Sequence, residues 1–215
     1  MPALITGLRE GDADGRTLAA GYLGKLHAAD AVTALGDSLR DANSTTRHTA
    51  RRALARIGGE SAIRVLTEAL AEDDLPERWA VANHLGKLGA AGSVPALLAC
   101  LDGEDDGLKT SALDALGRIG DARATPLLVS LATDAERYTA NGGRLTYDPD
   151  GPWGWLWRRE KRIRWWIRRL AADKLVVMGI RDAAPSVAAA ARTAATLRER
   201  RLLRRTARRL RRIAA

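Results

Sequence analysis

Tryptophan and arginine, which together can bind polyanions, are concentrated in one short segment of this chain. Residues 153–170 read WGWLWRREKRIRWWIRRL and hold five of the six tryptophans. Indole rings stack on bases while guanidinium groups hold phosphates, although the same composition suits an anionic membrane surface or a protein–protein hot spot. On a helix, Arg158, Arg162, Trp165 and Arg169 would share one face. We expect this face to bind a polyanion.

A second group of basic residues lies at the end of the sequence. Nine arginines fall between residues 198 and 212. A narrow apolar stripe runs through the same segment and can pack on the preceding repeat; it consists of Leu203, Ala207, Leu210 and Ala214. We interpret residues 198–215 as a capping helix whose outward arginines, including Arg204 and Arg208, contact a polyanion or an acidic protein.

Charge differs strongly between the two parts of the chain. Residues 1–136 carry a net charge of −6, residues 137–215 carry +15, and the whole chain carries +9. This asymmetry indicates an anionic partner for the basic part, either nucleic acid or an acidic protein, with an anionic membrane surface as an alternative. No run of 18 apolar residues and no signal peptide is present, so we expect a cytoplasmic protein without a transmembrane segment.

Side chains that catalyse reactions or bind metals form no known motif here. The sequence has no phosphate-binding loop, no GxSxG and no pair of cysteines. Its one cysteine, Cys100, lies on an apolar segment beside Leu97 and Leu101, which indicates a buried small side chain rather than a reactive thiol. We expect neither a metal site nor a cofactor, and we favour a non-catalytic role.

The elements that must position these residues follow from a repeat of 31 residues. The motifs LGKL, LARI, LGKL and LGRI begin at Leu23, Leu54, Leu85 and Leu116. Such a fixed period is typical of stacked helical repeats. Each repeat reads as two helices, the second followed by a residue that can end it in a left-handed conformation; these are Gly58, Gly89, Gly120 and Gly179. Six repeats fit the sequence, at residues 2–27, 33–58, 64–89, 95–120, 126–179 and 185–213.

This pattern resembles the HEAT-like repeats first grouped with phycobilisome lyases, and the resemblance covers nearly the whole chain. It implies an all-α fold, a right-handed α-solenoid of about six HEAT-like helix pairs, formed as a single domain over residues 1–215. The class includes scaffolds, lyase subunits and DNA glycosylases. The resemblance therefore implies a binding surface and leaves its ligand open.

In the HEAT pattern, the second helix of each repeat faces the concave side. The position two residues after the motif leucine is basic in four consecutive repeats, at Lys25, Arg56, Lys87 and Arg118. The positions six and two residues before the motif leucine share one ridge of the helix with this basic position. In the second repeat the ridge is His48, Arg52 and Arg56, and in the third it is Trp79, Asn83 and Lys87. Stacking would align these cations in a stripe suited to a phosphate backbone. The structural alternative is a set of solvated residues, since Lys and Arg are common here in HEAT-like repeats.

Another basic column precedes the motif leucine by seven residues. It consists of Arg16, Arg47, Arg78, Lys109 and Arg168. In HEAT-like repeats a basic residue at this position pairs with acidic residues of the turns. We therefore expect ion pairs with residues such as Asp41, Asp73 and Asp105 that link neighbouring repeats.

The fifth repeat contains an insertion, which we place at residues 137–160. Leu175 follows Pro126 by 49 residues instead of 21. The sequence YTANGGRLTY at 138–147 predicts a small β-hairpin, because Asn-Gly-Gly is flanked by β-prone residues. The tryptophans that follow would cap this hairpin, form a small satellite core or recognise a ligand; they are Trp153, Trp155 and Trp157.

Two other functions remain open. HEAT-like alkylpurine DNA glycosylases use Trp, Asp and Arg around the lesion, and Trp79, Asp114 and Arg169 lie on the predicted ridge. A protein–protein scaffold, or a lyase-like or chaperone-like subunit for an acidic protein, is the other alternative. We favour a non-catalytic scaffold that binds an anionic partner, with nucleic acid first.

Overall fold

The described part of the computed structural model comprises residues 1–102, 105–133, 165, 168–194 and 196–213. Within these residues all regular secondary structure is helical. The chain divides into two compact units, an N-terminal unit at Met1–Ile119 and a C-terminal unit at Gly120–Ala215. The predicted insertion at 137–160, with its β-hairpin at 138–147, lies outside the described residues.

The N-terminal unit is built from four consecutive helix pairs. Its helices are α1 (Pro2–Glu10), α2 (Ala13–Lys25), α3 (Val32–Asp37), α4 (Ser44–Ile57), α5 (Gly59–Leu70), α6 (Arg78–Lys87), α7 (Val94–Ala99) and α8 (Asp106–Ile119). Within each repeat the two helices pack together. The second helices α2, α4, α6 and α8 also pack in sequence, as do the first helices α1, α3, α5 and α7. This two-layer arrangement is the α-solenoid that the period predicts.

The repeated motif forms the core between these layers. All four motif leucines, Leu23, Leu54, Leu85 and Leu116, are fully buried. The glycine after the leucine in LGKL allows close approach of the next helix. A Cβ atom on Gly24 would lie 2.7 Å from Cα of Ala53, and one on Gly86 would lie 2.5 Å from Cα of Ala115. These two contacts join equivalent positions, so α6 packs on α8 in the same register as α2 packs on α4.

The helix ends agree with the predicted glycine positions. Gly58, Gly89, Gly120 and Gly179 all have positive φ, from 63° to 70°. In the first repeat the equivalent residue is His27, with φ of 50°. A side chain in this region costs about 1–2 kcal/mol, because Cβ approaches the following carbonyl oxygen. A glycine with positive φ therefore follows the second helix in these four repeats, and in the first repeat a strained histidine occupies the equivalent position.

The C-terminal unit contains the remaining helices. They are α9 (Thr125–Thr133), α10 (helical at 168–177), α11 (Ala184–Thr193) and α12 (Leu197–Arg212). Thr196 and Glu199 form a reciprocal capping box at the start of α12. The predicted apolar stripe is confirmed, since Leu203, Ala207 and Leu210 are buried; Ala214 lies outside the described residues. α12 packs on α11 of its own repeat, and α11 also packs on α9.

Cys100 is buried in the N-terminal unit, as expected. Burial raises the pKa of its thiol, so it remains a neutral apolar side chain at physiological pH. No described helix combines the length and hydrophobicity needed to cross a lipid bilayer.

Candidate polyanion-binding surface

The predicted basic stripe consists of exposed side chains on stacked helices. Lys25, Arg56, Lys87 and Arg118 are all exposed, and they occupy equivalent positions on α2, α4, α6 and α8. Because α2 packs on α4 and α6 packs on α8 in the same register, equivalent positions lie side by side within each of these two helix pairs. The contact between α4 and α6 is looser. The stripe therefore consists of two pairs of exposed cations on successive second helices.

The four cations differ in how strongly the protein already engages them. The Nε of Arg118 donates to Oδ2 of Asp114 at 2.7 Å, and the ammonium of Lys25 lies 5.4 Å from the ring centroid of Tyr22. Arg56 and Lys87 have no ion-pair partner among the described residues. These two side chains, in the middle of the stripe, are the most available to an external anion.

A groove opens between α4 and α6 beside this stripe, with a volume of about 550 Å³. Its walls include five residues of the ridge that the sequence predicts; they are His48, Arg52, Trp79, Asn83 and Lys87. Trp79 is 49% exposed, and Arg52 is exposed without an ion-pair partner in the described part of the chain. The predicted ridge thus forms a basic groove with one accessible aromatic side chain.

An ion-pair network lies at one end of the groove. Glu77 has a left-handed backbone, with φ of 61°, and its carboxylate accepts hydrogen bonds from Arg47 and from Arg51. Arg51 is only 3% exposed. Burial acts to raise the pKa of Glu77, but the hydrogen bond from Arg47 and the charge of Arg51 lower it overall. Glu77 is therefore ionised and already engaged by two arginines.

The pKa of His84, which lines the groove, is lowered by burial and by neighbouring positive charges. Burial is the main cause that lowers the pKa of His84 to about 4, and the charges of Lys87 and Arg51 contribute next. The imidazole of His84 is therefore neutral at pH 7. The neighbouring cations disfavour a further positive charge in the groove and would attract an anion.

Sequence reasoning missed Arg51 and Glu77. Arg51 occupies the position three residues before the motif leucine, where other repeats have apolar side chains that are fully buried; these are Ala20, Ala82, Leu113 and Ala172. One arginine in this apolar column was the available signal. The sequence gives no comparable signal for Glu77, because glutamate rarely adopts a left-handed backbone and its residue type does not predict one.

The second basic column links neighbouring repeats, which confirms the predicted role for three of its members. The guanidinium of Arg16 donates to both carboxylate oxygens of Asp41, at 2.6 and 2.9 Å, and this hydrogen bond lowers the pKa of Asp41. Arg47 contacts Glu77 of the next repeat at 3.1 Å. In the C-terminal unit Arg168 donates to Glu199 at 2.8 Å.

Arg78 differs from these three members, because its ion pair lies within its own repeat. Arg78 binds within its own repeat, to Asp73 at 2.8 Å and to the carbonyl of Leu70 at 2.9 Å. Lys109 is buried. The column as a whole is structural and is not part of the exposed basic surface.

The C-terminal unit carries its own basic surface along α12. Six arginines line a shallow depression there, Arg201, Arg204, Arg205, Arg208, Arg209 and Arg212. Asp173 on α10 lies 3.7 Å from Arg209 and 3.8 Å from Arg169. The predicted ligands Arg204 and Arg208 are exposed on this surface.

Trp165 is brought close to Arg169, as predicted, but its ring is not free. The guanidinium of Arg198 lies 3.7 Å from the ring centroid, and that of Arg169 lies 5.4 Å from it. Both contacts are cation–π interactions. A base could stack on the Arg198 side only by displacing this guanidinium. Arg158, Arg162, Trp153, Trp155 and Trp157 lie outside the described residues.

The residues of the glycosylase alternative are not assembled within the groove. Trp79 lines it, but Asp114 is not among its lining residues and pairs instead with Arg118. Arg169 belongs to the C-terminal unit and neighbours Asp173. Within the described part of the chain no group of three or more potential metal ligands is found.

Stacked helix pairs with a recurring leucine motif define an α-helical repeat protein. The chain belongs to the HEAT repeat family, whose pattern matches residues 1–83 and 76–142. Among curated proteins, no sequence is significantly similar to it.

Three solved structures share the fold. An engineered protein from the Northeast Structural Genomics Consortium is 19% identical, with a TM-score of 0.51 over 97% of this chain and 95% of its own. A chain in the complex of CpcE and CpcF of phycocyanin lyase from Nostoc sp. PCC7120 is 22% identical, with a TM-score of 0.50. The match covers 98% of this chain and 94% of that one. A second engineered protein from the same consortium is 20% identical, with a TM-score of 0.51; the match covers 97% of this chain and 56% of that protein. At these identities the similarity establishes the fold alone.

Proposed function

We propose that this HEAT-repeat chain is a non-catalytic scaffold that binds nucleic acid through the basic stripe of its N-terminal unit. The observation that carries the proposal is the recurrence of an exposed cation at one position of four consecutive stacked helices: Lys25, Arg56, Lys87 and Arg118. A regular row of cations matches a regular row of phosphates and requires no particular base sequence.

The dimensions of the stripe support this proposal. Packed helices have axes about 8–10 Å apart, so neighbouring cations within each tightly packed pair, Lys25 with Arg56 and Lys87 with Arg118, are spaced at about this distance. The groove between α4 and α6 separates the two pairs. A folded acidic protein offers few carboxylates in so regular a row, whereas a nucleic acid offers phosphates along its whole length. The arginines of α12, among them Arg204 and Arg208, provide a second basic surface in the C-terminal unit.

Binding is tested by fluorescence anisotropy with short duplex DNA, single-stranded DNA and RNA at low salt. The variant Arg56→Gln/Lys87→Gln removes the two stripe cations that have neither an ion-pair partner nor an aromatic ring contact among the described residues. Its control is Arg9→Gln/Arg64→Gln, which removes the same charge from exposed positions on α1 and α5. We expect the stripe variant to lose at least about tenfold in affinity and the control to lose much less.

Three results would overturn the proposal. One is failure of the wild-type protein to bind any of these nucleic acids at low salt. Another is an equal loss in the stripe variant and its control, which would indicate dependence on net charge alone. The third is stoichiometric binding to an acidic protein, or to vesicles of anionic lipid, at salt concentrations where no nucleic acid binds.

A further inference from the structure

The groove between α4 and α6 has features that a phosphate-binding stripe does not need. Lys87 is a member of the stripe, but Trp79 and Asn83 precede it by eight and four residues on the same face of α6. With a rise of 1.5 Å per residue, the row from Trp79 to Lys87 is about 12 Å long. Arg52 faces it from α4. A flat aromatic group, a polar side chain and two cations therefore line one groove.

Trp79 is the first of these features. It is 49% exposed, and no ring or cation contact covers it among the described residues. Equivalent positions on the other second helices of the N-terminal unit hold Thr17, His48 and Thr110. Trp165 in the C-terminal unit contrasts with it, because Arg198 occupies one face of that ring. Trp79 alone combines a free ring with a basic groove in the described part of the chain.

Unsatisfied polar atoms are the second feature. The Oδ1 atom of Asn83 is buried and has no hydrogen-bond donor among the described residues. The Nε and Nη1 atoms of Arg51 are also buried and have no acceptor among them. Both residues line the groove, and Arg51 is 3% exposed. A buried polar atom without a partner is costly. An incoming ligand with a donor for Asn83 and negative charge near Arg51 would reduce this cost.

We propose that the α4–α6 groove binds one nucleotide of a single-stranded nucleic acid, with its base stacked on Trp79 and its phosphate between Arg52 and Lys87. A base supplies the flat ring for Trp79 and N–H donors for Asn83, while the phosphate supplies the negative charge. The groove volume of about 550 Å³ lies within the range of small-ligand sites. This inference rests on the proposed nucleic-acid function and assigns a single-strand preference to it.

The test compares single-stranded oligothymidylate with heparin, a polyanion that has no bases. Three variants are measured by anisotropy or competition: Trp79→Ala, Trp79→Phe, and the control Leu18→Ala. Leu18 is an exposed apolar residue on α2, outside the groove and not a member of the stripe. Thermal unfolding checks that each variant is folded, which we expect because the side chains of Trp79 and Leu18 are both about half exposed.

Loss of base stacking should weaken oligothymidylate binding by about 5- to 150-fold in Trp79→Ala. Trp79→Phe should retain part of the affinity, heparin binding should not change, and Leu18→Ala should bind like the wild type. Unchanged oligothymidylate binding in Trp79→Ala, or an equal loss for oligothymidylate and heparin, would overturn the groove proposal. If either of these results is found while duplex DNA still binds through the stripe, only the groove proposal is wrong. If the wild-type protein binds no nucleic acid at all, the proposed function is wrong as well.

Discussion

Glu77→Gln should destabilise the N-terminal unit strongly, because it removes the counter-ion of a buried arginine. Arg51 is 3% exposed and the Glu77 side chain is 29% exposed. Removing one partner of a fully buried pair typically costs 3–5 kcal/mol. Since Glu77 is partly solvated and also binds Arg47, we expect a loss of about 3 kcal/mol in the free energy of unfolding, measured by urea denaturation at pH 7.

The double variant Arg51→Met/Glu77→Gln separates ion pairing from other effects of the glutamine. Methionine fills similar space in an otherwise apolar column and needs no counter-ion. We expect the double variant to recover at least half of the stability that Glu77→Gln loses, giving a large coupling free energy in the double-mutant cycle. Additive losses from the two single substitutions, or a loss below about 1 kcal/mol in Glu77→Gln, would refute this reasoning.

Two further predictions concern histidines of the same unit. His27→Gly should raise the free energy of unfolding by about 0.5–1 kcal/mol in urea denaturation, because relief of the left-handed strain outweighs the added flexibility of the unfolded chain; a decrease would contradict it. The folded-state pKa of His84 is about 4, below the ordinary 6.5, so below pH 6.5 the unfolded chain binds a proton that the folded chain does not. Stability should therefore fall by about 3 kcal/mol between pH 6.5 and 4. His84→Gln should lack this part of the pH dependence, and an identical pH profile in the variant would exclude His84 as its source.

Much of the fold could be predicted because the repeat makes equivalent residues perform equivalent tasks. The motif leucines are buried, the glycines that follow them have positive φ, and Arg16, Arg47 and Arg168 link adjacent repeats. In each case the signal recurs at a fixed spacing. The stripe cations were found for the same reason.

Features that occur in only one repeat could not be predicted in this way. Burial of Arg51 depends on a carboxylate 26 residues away that is held by a left-handed backbone. The ring of Trp165 is covered by Arg198, on a helix that follows much later in the sequence. Such contacts depend on how side chains from separate helices meet, and neither periodicity nor composition specifies that.

The central claim is that four aligned cations bind a phosphate backbone, and a salt titration tests it most directly. Each phosphate contact to duplex DNA contributes about −0.9 to the slope of log Kobs against log salt concentration. Replacing Lys25, Arg56, Lys87 and Arg118 with glutamine should therefore make the slope less steep by about 3 to 4, while Arg9→Gln/Arg64→Gln leaves it nearly unchanged. An unchanged slope in the fourfold variant, or an equal change per residue in the control, would contradict the account.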